Sequence, residues 1–139
     1  MKTYKLLYSF VLLLIGVAFT ACGDDDNDTS ETQRQLIIGT WDTEPNEDGD
    51  IFEFIFNANG QFVENIYIEG QIDDIMEGSY SINEDVINII ISIHKERIGS
   101  NKWAEKTINN TQTFRFHIEG KKLKISTLSG DRTMILTSI

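Results

Sequence analysis

Cysteine, proline and histidine are nearly missing from this chain, and each shortage closes off a class of chemistry. With one cysteine, Cys22, neither an intrachain disulfide nor a thiolate metal site is possible, so the fold must hold by packing alone. The one proline, Pro45, lies in an acidic stretch and breaks no hydrophobic segment. The two histidines, His94 and His117, have no partner at the spacing of a zinc motif, and Glu96 near His94 is not a constellation by itself. Basic residues are also short, 12 Lys and Arg against 22 Asp and Glu, for a net charge of −10. That balance excludes nucleic acid and anionic membrane surfaces as partners. There is no G-x-S-x-G and no phosphate loop. Asn46-Glu47-Asp48-Gly49-Asp50 lacks the glycine and terminal glutamate spacing of an EF-hand, and Asp73-Asp74 reads as adjacent acids in a turn. These absences point to a protein that is not an enzyme and needs no cofactor or metal.

The beginning of the chain is more specific. Lys2 and Lys5 flank an apolar run, residues 6–19, that ends in Thr20-Ala21-Cys22. The run is shorter than the ~20 residues that span a bilayer and fits a signal h-region of about 7–15. It resembles a bacterial lipoprotein signal peptide covering residues 1–21, with Cys22 as the lipidated residue. Residues 22–34, opening with Gly23-Asp24-Asp25-Asp26-Asn27-Asp28, are too acidic to pack and read as a flexible tether. The acidic run is similar to that of surface-exported lipoproteins of the Bacteroidetes. The resemblance implies an outer-membrane lipoprotein, at the cell surface or on the periplasmic leaflet, held to the membrane by its N-terminal lipid.

Residues 35–139 form one domain with room for a single core. Their apolar pattern has period two, and no amphipathic helix of three turns stands out. Strands are predicted at 36–41, along Phe52, Phe54 and Phe56, at 62–68, at 77–82 and at 86–93. Further strands follow along Phe114, Phe116 and Ile118, through Leu123 and Ile125, and through Met134 and Leu136. Ile87, Ile89, Ile91 and Ile93 are expected on one face. Asn57-Ala58-Asn59-Gly60 reads as a hairpin turn with Gly60 at positive φ. Eight short antiparallel strands joined by hairpins close most naturally as an up-and-down barrel, which removes free edges.

Gly39-Thr40-Trp41 near the start of the first strand, followed by about seven more strands, resembles the lipocalins, in particular the small lipocalin-like lipoproteins of the Bacteroidetes. The resemblance implies a barrel plugged by Trp41, with Gly39 in the motif and Arg132 of the last strand over the tryptophan ring. It also implies binding of a small apolar or amphiphilic ligand. Phe52, Phe54, Phe56, Tyr80, Phe114 and Phe116 are the candidates to line that cavity, although in so small a domain they could equally fill it.

Residues 94–110 are the one unusual stretch. Lys95, Arg97, Lys102 and Lys106 gather there around Trp103 in an otherwise acidic domain. They read either as a lid or contact patch centred on Trp103, or as an extended hairpin or short helix pairing with nearby acids. The first functional expectation is therefore a ligand-binding, lipid-anchored barrel. The alternative is a non-catalytic interaction module, such as an accessory subunit, adhesin or inhibitor, that engages a protein partner.

Overall fold

The computed structural model describes residues 27–139. The signal segment, Cys22 and the first part of the tether lie outside the described residues. One helix, α1 (Asn27–Ile37), leads into eight strands: β1 (Gly39–Thr43), β2 (Ile51–Phe56), β3 (Gln61–Ile68), β4 (Gln71–Asn83), β5 (Val86–Gly99), β6 (Lys102–Glu119), β7 (Lys122–Ser126) and β8 (Thr133–Ser138). Each strand pairs antiparallel with the next and β8 returns to β1, giving a closed up-and-down barrel. No described helix is long and apolar enough to cross a membrane.

The alternation seen in the sequence is the alternation of the barrel wall. Phe52, Phe54 and Phe56 point inward from β2 and are buried, as are Phe114, Phe116 and Ile118 from β6. Phe56 lies 5.2 Å from the Phe62 ring, tilted against it, and 5.1 Å edge-on from the Tyr80 ring, so the three form an aromatic block inside the barrel.

The helix changes the expected picture of the tether. Residues 27–34 of the expected flexible tether are helical, and the first strand begins at Gly39, three residues later than its apolar pattern suggests. A helix of 11 residues is marginal alone, so its packing on the barrel matters. Ile37 is fully buried and Arg34 donates a hydrogen bond to the Ile82 carbonyl at 3.2 Å. Gly39, with φ of 138°, turns the chain from helix to strand in a conformation that a side chain would strain. The buried Trp41 indole then donates to the Ile37 carbonyl at 2.8 Å, fastening the helix end to the barrel. This closed end also carries the β2–β3, β4–β5 and β6–β7 turns.

The opposite end is uneven. β4, β5 and β6 run for 13, 14 and 18 residues, whereas β1 and β7 have five each, so one wall stands taller. The stretch expected as a connection, residues 94–110, is instead the far half of a continuous β5–β6 hairpin turning at Ser100-Asn101.

Of the strand irregularities along the tall wall, two lie beside its inward polar positions. Between β4 and β5 the partners step from Gly78 with Ile91 to Glu77 with Ile93, so Ser92 is an extra residue in β5. That bulge reverses the parity of everything after it. Ile93 leaves the inner face on which the alternation placed it, and His94 and Glu96 turn inward instead. A second shift, where Ile66 pairs with Asp74 and Tyr67 with Ile72, makes Asp73 the extra residue in β4.

Candidate functional site

Inward positions just above the aromatic block are polar. On β3, Glu64 falls between Phe62 and Ile66 on the inner face and has 0 % exposure. On β4, Asp74 shares the inner face with Met76 and is 2 % exposed. Asp74 pairs directly with Glu96 of β5, while Met76 pairs with both Glu64 and His94. Asp74 is thus diagonal to Glu64 on one side and to His94 on the other, within the reach of cross-strand side chains. The result is a carboxylate-rich group on three adjacent strands, at the end of the barrel away from α1.

Distances bear out the register. His94 Nε2 lies 2.8 Å from Asp74 Oδ1, and donor atoms of Asp74, His94 and Glu96 all fall within 4.8 Å of one another. Asp74 Oδ2 and both carboxyl oxygens of Glu64 are buried without a hydrogen-bond partner. Burial, reinforced by the negative charge of Asp74, pushes Glu64 up to about 8. Further round the wall, Gln112 of β6 is buried with its Nε2 unpartnered. Buried polar atoms are nearly always paired, so each of these is an exception. One imidazole with two carboxylates is a donor set for a borderline divalent cation, and the same carboxylates would accept hydrogen bonds from a polar ligand.

Other expected site residues are placed as follows. Phe52, Phe54, Phe56, Phe114 and Phe116 lie in the core, and Phe54 and Phe56 pack against Phe62. Tyr80 packs on that core and donates to the Asn57 carbonyl at 2.8 Å. Its other side borders a cleft of about 340 Å³ at the closed end, between α1, the β2–β3 turn and β4. Trp103 is 36 % exposed on the outer β5–β6 arm beneath the Arg97 guanidinium, 4.6 Å from ring centre, and Arg97 donates to the Ile72 carbonyl. Lys95 bonds Glu77 at 3.1 Å, the pairing with nearby acids that the hairpin alternative described. His117 is an outward strand residue, 4.0 Å from Glu119.

Arg132 requires a correction. It does not cover Trp41. Trp41 pairs with Ser138, near the end of β8, whereas Arg132 precedes the first residue of that strand and is exposed. Six residues of strand rise ~3.3 Å each, so the two lie at opposite ends of the barrel. The buried indole finds its partner in the Ile37 carbonyl instead.

Asp74, His94, Glu96 and Glu64 are the group that sequence reading missed. Asp73 and Asp74 belong to β4 rather than to a turn, and Asp74 is buried; the bulge at Ser92 joins His94 and Glu96 to it. A signal for Glu64 was present, since it alternates in phase with Phe62 and Ile66. Outside the barrel, Asp42 and Glu53 face each other across β1 and β2, and burial together with the Glu53 charge raises the Asp42 carboxyl above its usual range. Glu53 also accepts from Asn65 at 2.9 Å and Tyr67 at 3.2 Å, so this second pair is held within the outer wall. No family model, curated protein or solved structure matches the chain.

Proposed function

We propose that this protein is a lipid-anchored, non-enzymatic cell-envelope lipoprotein with a lipocalin-like barrel, taking a small apolar or amphiphilic ligand at the open end. The observation that carries the reading is the layer of buried, unpartnered polar atoms of Glu64, Asp74 and Gln112 above a packed aromatic floor. An amphiphile would set its polar part on that layer and its apolar part against the taller β4–β6 wall. The floor leaves the polar layer, rather than the phenylalanines, to select the ligand. The signal-like segment with Cys22 supports the anchor and an outer-membrane location, on the surface or the periplasmic leaflet.

Native mass spectrometry of the protein purified from its own host tests this. A small molecule retained by the folded chain and released on unfolding is the expected result. A bare polypeptide mass, with no apolar or amphiphilic probe raising the melting temperature, would count against it.

The interaction-module reading has its own observation. β6 pairs with β7 only over Arg115–Glu119, so the stretch 102–114 has no strand on that side among the described residues. Its hairpin partner carries the exposed Ile98, and Trp103 sits at the same tip. An edge of this kind suits strand addition by a partner. A partner lost on Trp103→Ala, with no small molecule bound, would favour this reading over the first.

A further inference from the structure

The ligands of Asp74, His94 and Glu96 come from two adjacent strands, and their geometry is more particular than a surface acidic patch. Asp74 is 2 % exposed and His94 13 %, so both are largely withdrawn from solvent. Their donor atoms and one from Glu96 lie within 4.8 Å of one another, close enough for small side-chain movements to bring all three onto one ion bound at about 2.0–2.2 Å.

The second observation is independent of that proximity. Asp74 Oδ2 and both oxygens of Glu64, a side chain with 0 % exposure on the neighbouring strand, have no hydrogen-bond partner. Cations close by in the chain are engaged elsewhere or exposed to solvent. Lys95 bonds Glu77, Arg97 donates to the Ile72 carbonyl and covers Trp103, and Lys106, opposite His94 in register, is exposed. Buried acceptors left in this state are what a bound cation would satisfy.

We propose that Asp74, His94 and Glu96, with Glu64 beside them, form a site for one divalent transition-metal ion at the open end of the barrel. The imidazole selects against calcium and magnesium, whose sites are built from oxygen, and the carboxylates suit Zn²⁺ or a similar ion. His94 and Asp74 exchange their mutual contact for bonds to the ion. Glu96, at the rim, is the last ligand on the way in, and Glu64 supplies a further oxygen or holds a metal-bound water. This inference rests on reading the open end as the ligand entrance, and names a cation as what that entrance admits.

Titration of the untagged, chelator-treated mature protein with ZnCl₂ by calorimetry, alongside thermal melts, tests it. One Zn²⁺ per chain and a higher melting temperature are expected. His94→Ala and Asp74→Asn should each weaken binding at least tenfold, whereas His117→Ala and Asp48→Asn, at exposed positions, should leave it unchanged. Glu96→Gln, at the rim, should weaken Zn²⁺ binding without altering the circular dichroism spectrum, which keeps the test valid if the buried variants fail to fold. No saturable Zn²⁺ binding, binding that survives Glu96→Gln and His94→Ala, or binding lost with His117→Ala would overturn the site. If Zn²⁺ fails to bind but the host-purified protein retains an organic molecule, the cation site falls and the open-end reading stands. If neither binds, both fall.

Discussion

His94 Nε2 meets Asp74 Oδ1 at 2.8 Å although the two residues are 20 apart in the chain. The contact exists because Asp74 alternates in phase with Met76 on the inner face of β4, while the extra residue Ser92 in β5 turns His94 inward to meet it. Bulges commonly re-aim side chains beside functional sites, and the one at Ser92 turns His94 onto this buried carboxylate.

Glu64 makes the stability of the barrel depend on pH. Its folded-state value of about 8 lies above the ordinary 4.5, so the folded chain holds a proton that the unfolded chain has released. The stability associated with the neutral carboxyl is complete below about 4.5 and is lost as pH rises through about 8. The slope from this one group is at most about 1.4 kcal/mol per pH unit in that window. Urea denaturation of the metal-free protein at several pH values should show the decline, and Glu64→Gln should flatten it. An unchanged profile in the variant would mean that Glu64 is not the group responsible.

Gly78 is required by the β5 bulge. A Cβ there would lie 1.8 Å from the Ile90 carbonyl oxygen and 2.9 Å from the Ile91 Cα, both backbone atoms that cannot swing aside. Gly78→Ala should cost at least the ~1–3 kcal/mol typical of overpacking, read from the denaturation midpoint. It should also disturb His94, which the bulge orients, so the histidine ring resonances should move in an NMR spectrum. A neutral substitution would show that the bulge is not built against this glycine.

Trp41 and Arg132 should behave independently. Trp41→Ala removes a buried ring and should cost about 3–5 kcal/mol. Trp41→Phe keeps most of the volume but leaves the Ile37 carbonyl unbonded, and should cost about 1–3 kcal/mol. Arg132→Ala, at the other end of the barrel, should cost far less, and its effect should persist unchanged in the Trp41→Ala background. A strong coupling in the double-mutant cycle would contradict the register of β8 on β1.

Cys22 carries the anchor prediction. Cys22→Ser should release the protein from the membrane fraction or stall its processing, as seen by fractionation and chain length. A mature-length serine variant that still fractionates wholly with the outer membrane would remove the basis for lipidation.

Much of the barrel was legible in the chain because strand alternation and turn chemistry are local properties. Phe52, Phe54 and Phe56 specify an inner face wherever they fold, and Gly60 at φ 88° closes the turn expected of it. Eight such segments with short connections leave few alternatives to a closed meander. Even Glu64 was readable, as an acid in phase with Phe62 and Ile66. His94 and Glu96 were not. His94 lies on the outer face by simple alternation from Ile91, and only the close approach of the Ile90–Ile91 backbone to Gly78, on another strand, supports the bulge that turns it inward. Arg132 had the right parity but the wrong height, because parity repeats every two residues whereas height depends on how β8 pairs with β1. The helix α1 has weak intrinsic preference and a polar sequence, and docking of Ile37 and Arg34 on the barrel is what its own residues could not announce. Local pattern therefore determined the strands, their order and the aromatic core. The buried cluster was completed by tertiary pairing: Glu64 and Asp74 follow the alternation of their own strands, but His94 and Glu96 face them only because the packing of β5 on β4 supports the bulge at Ser92.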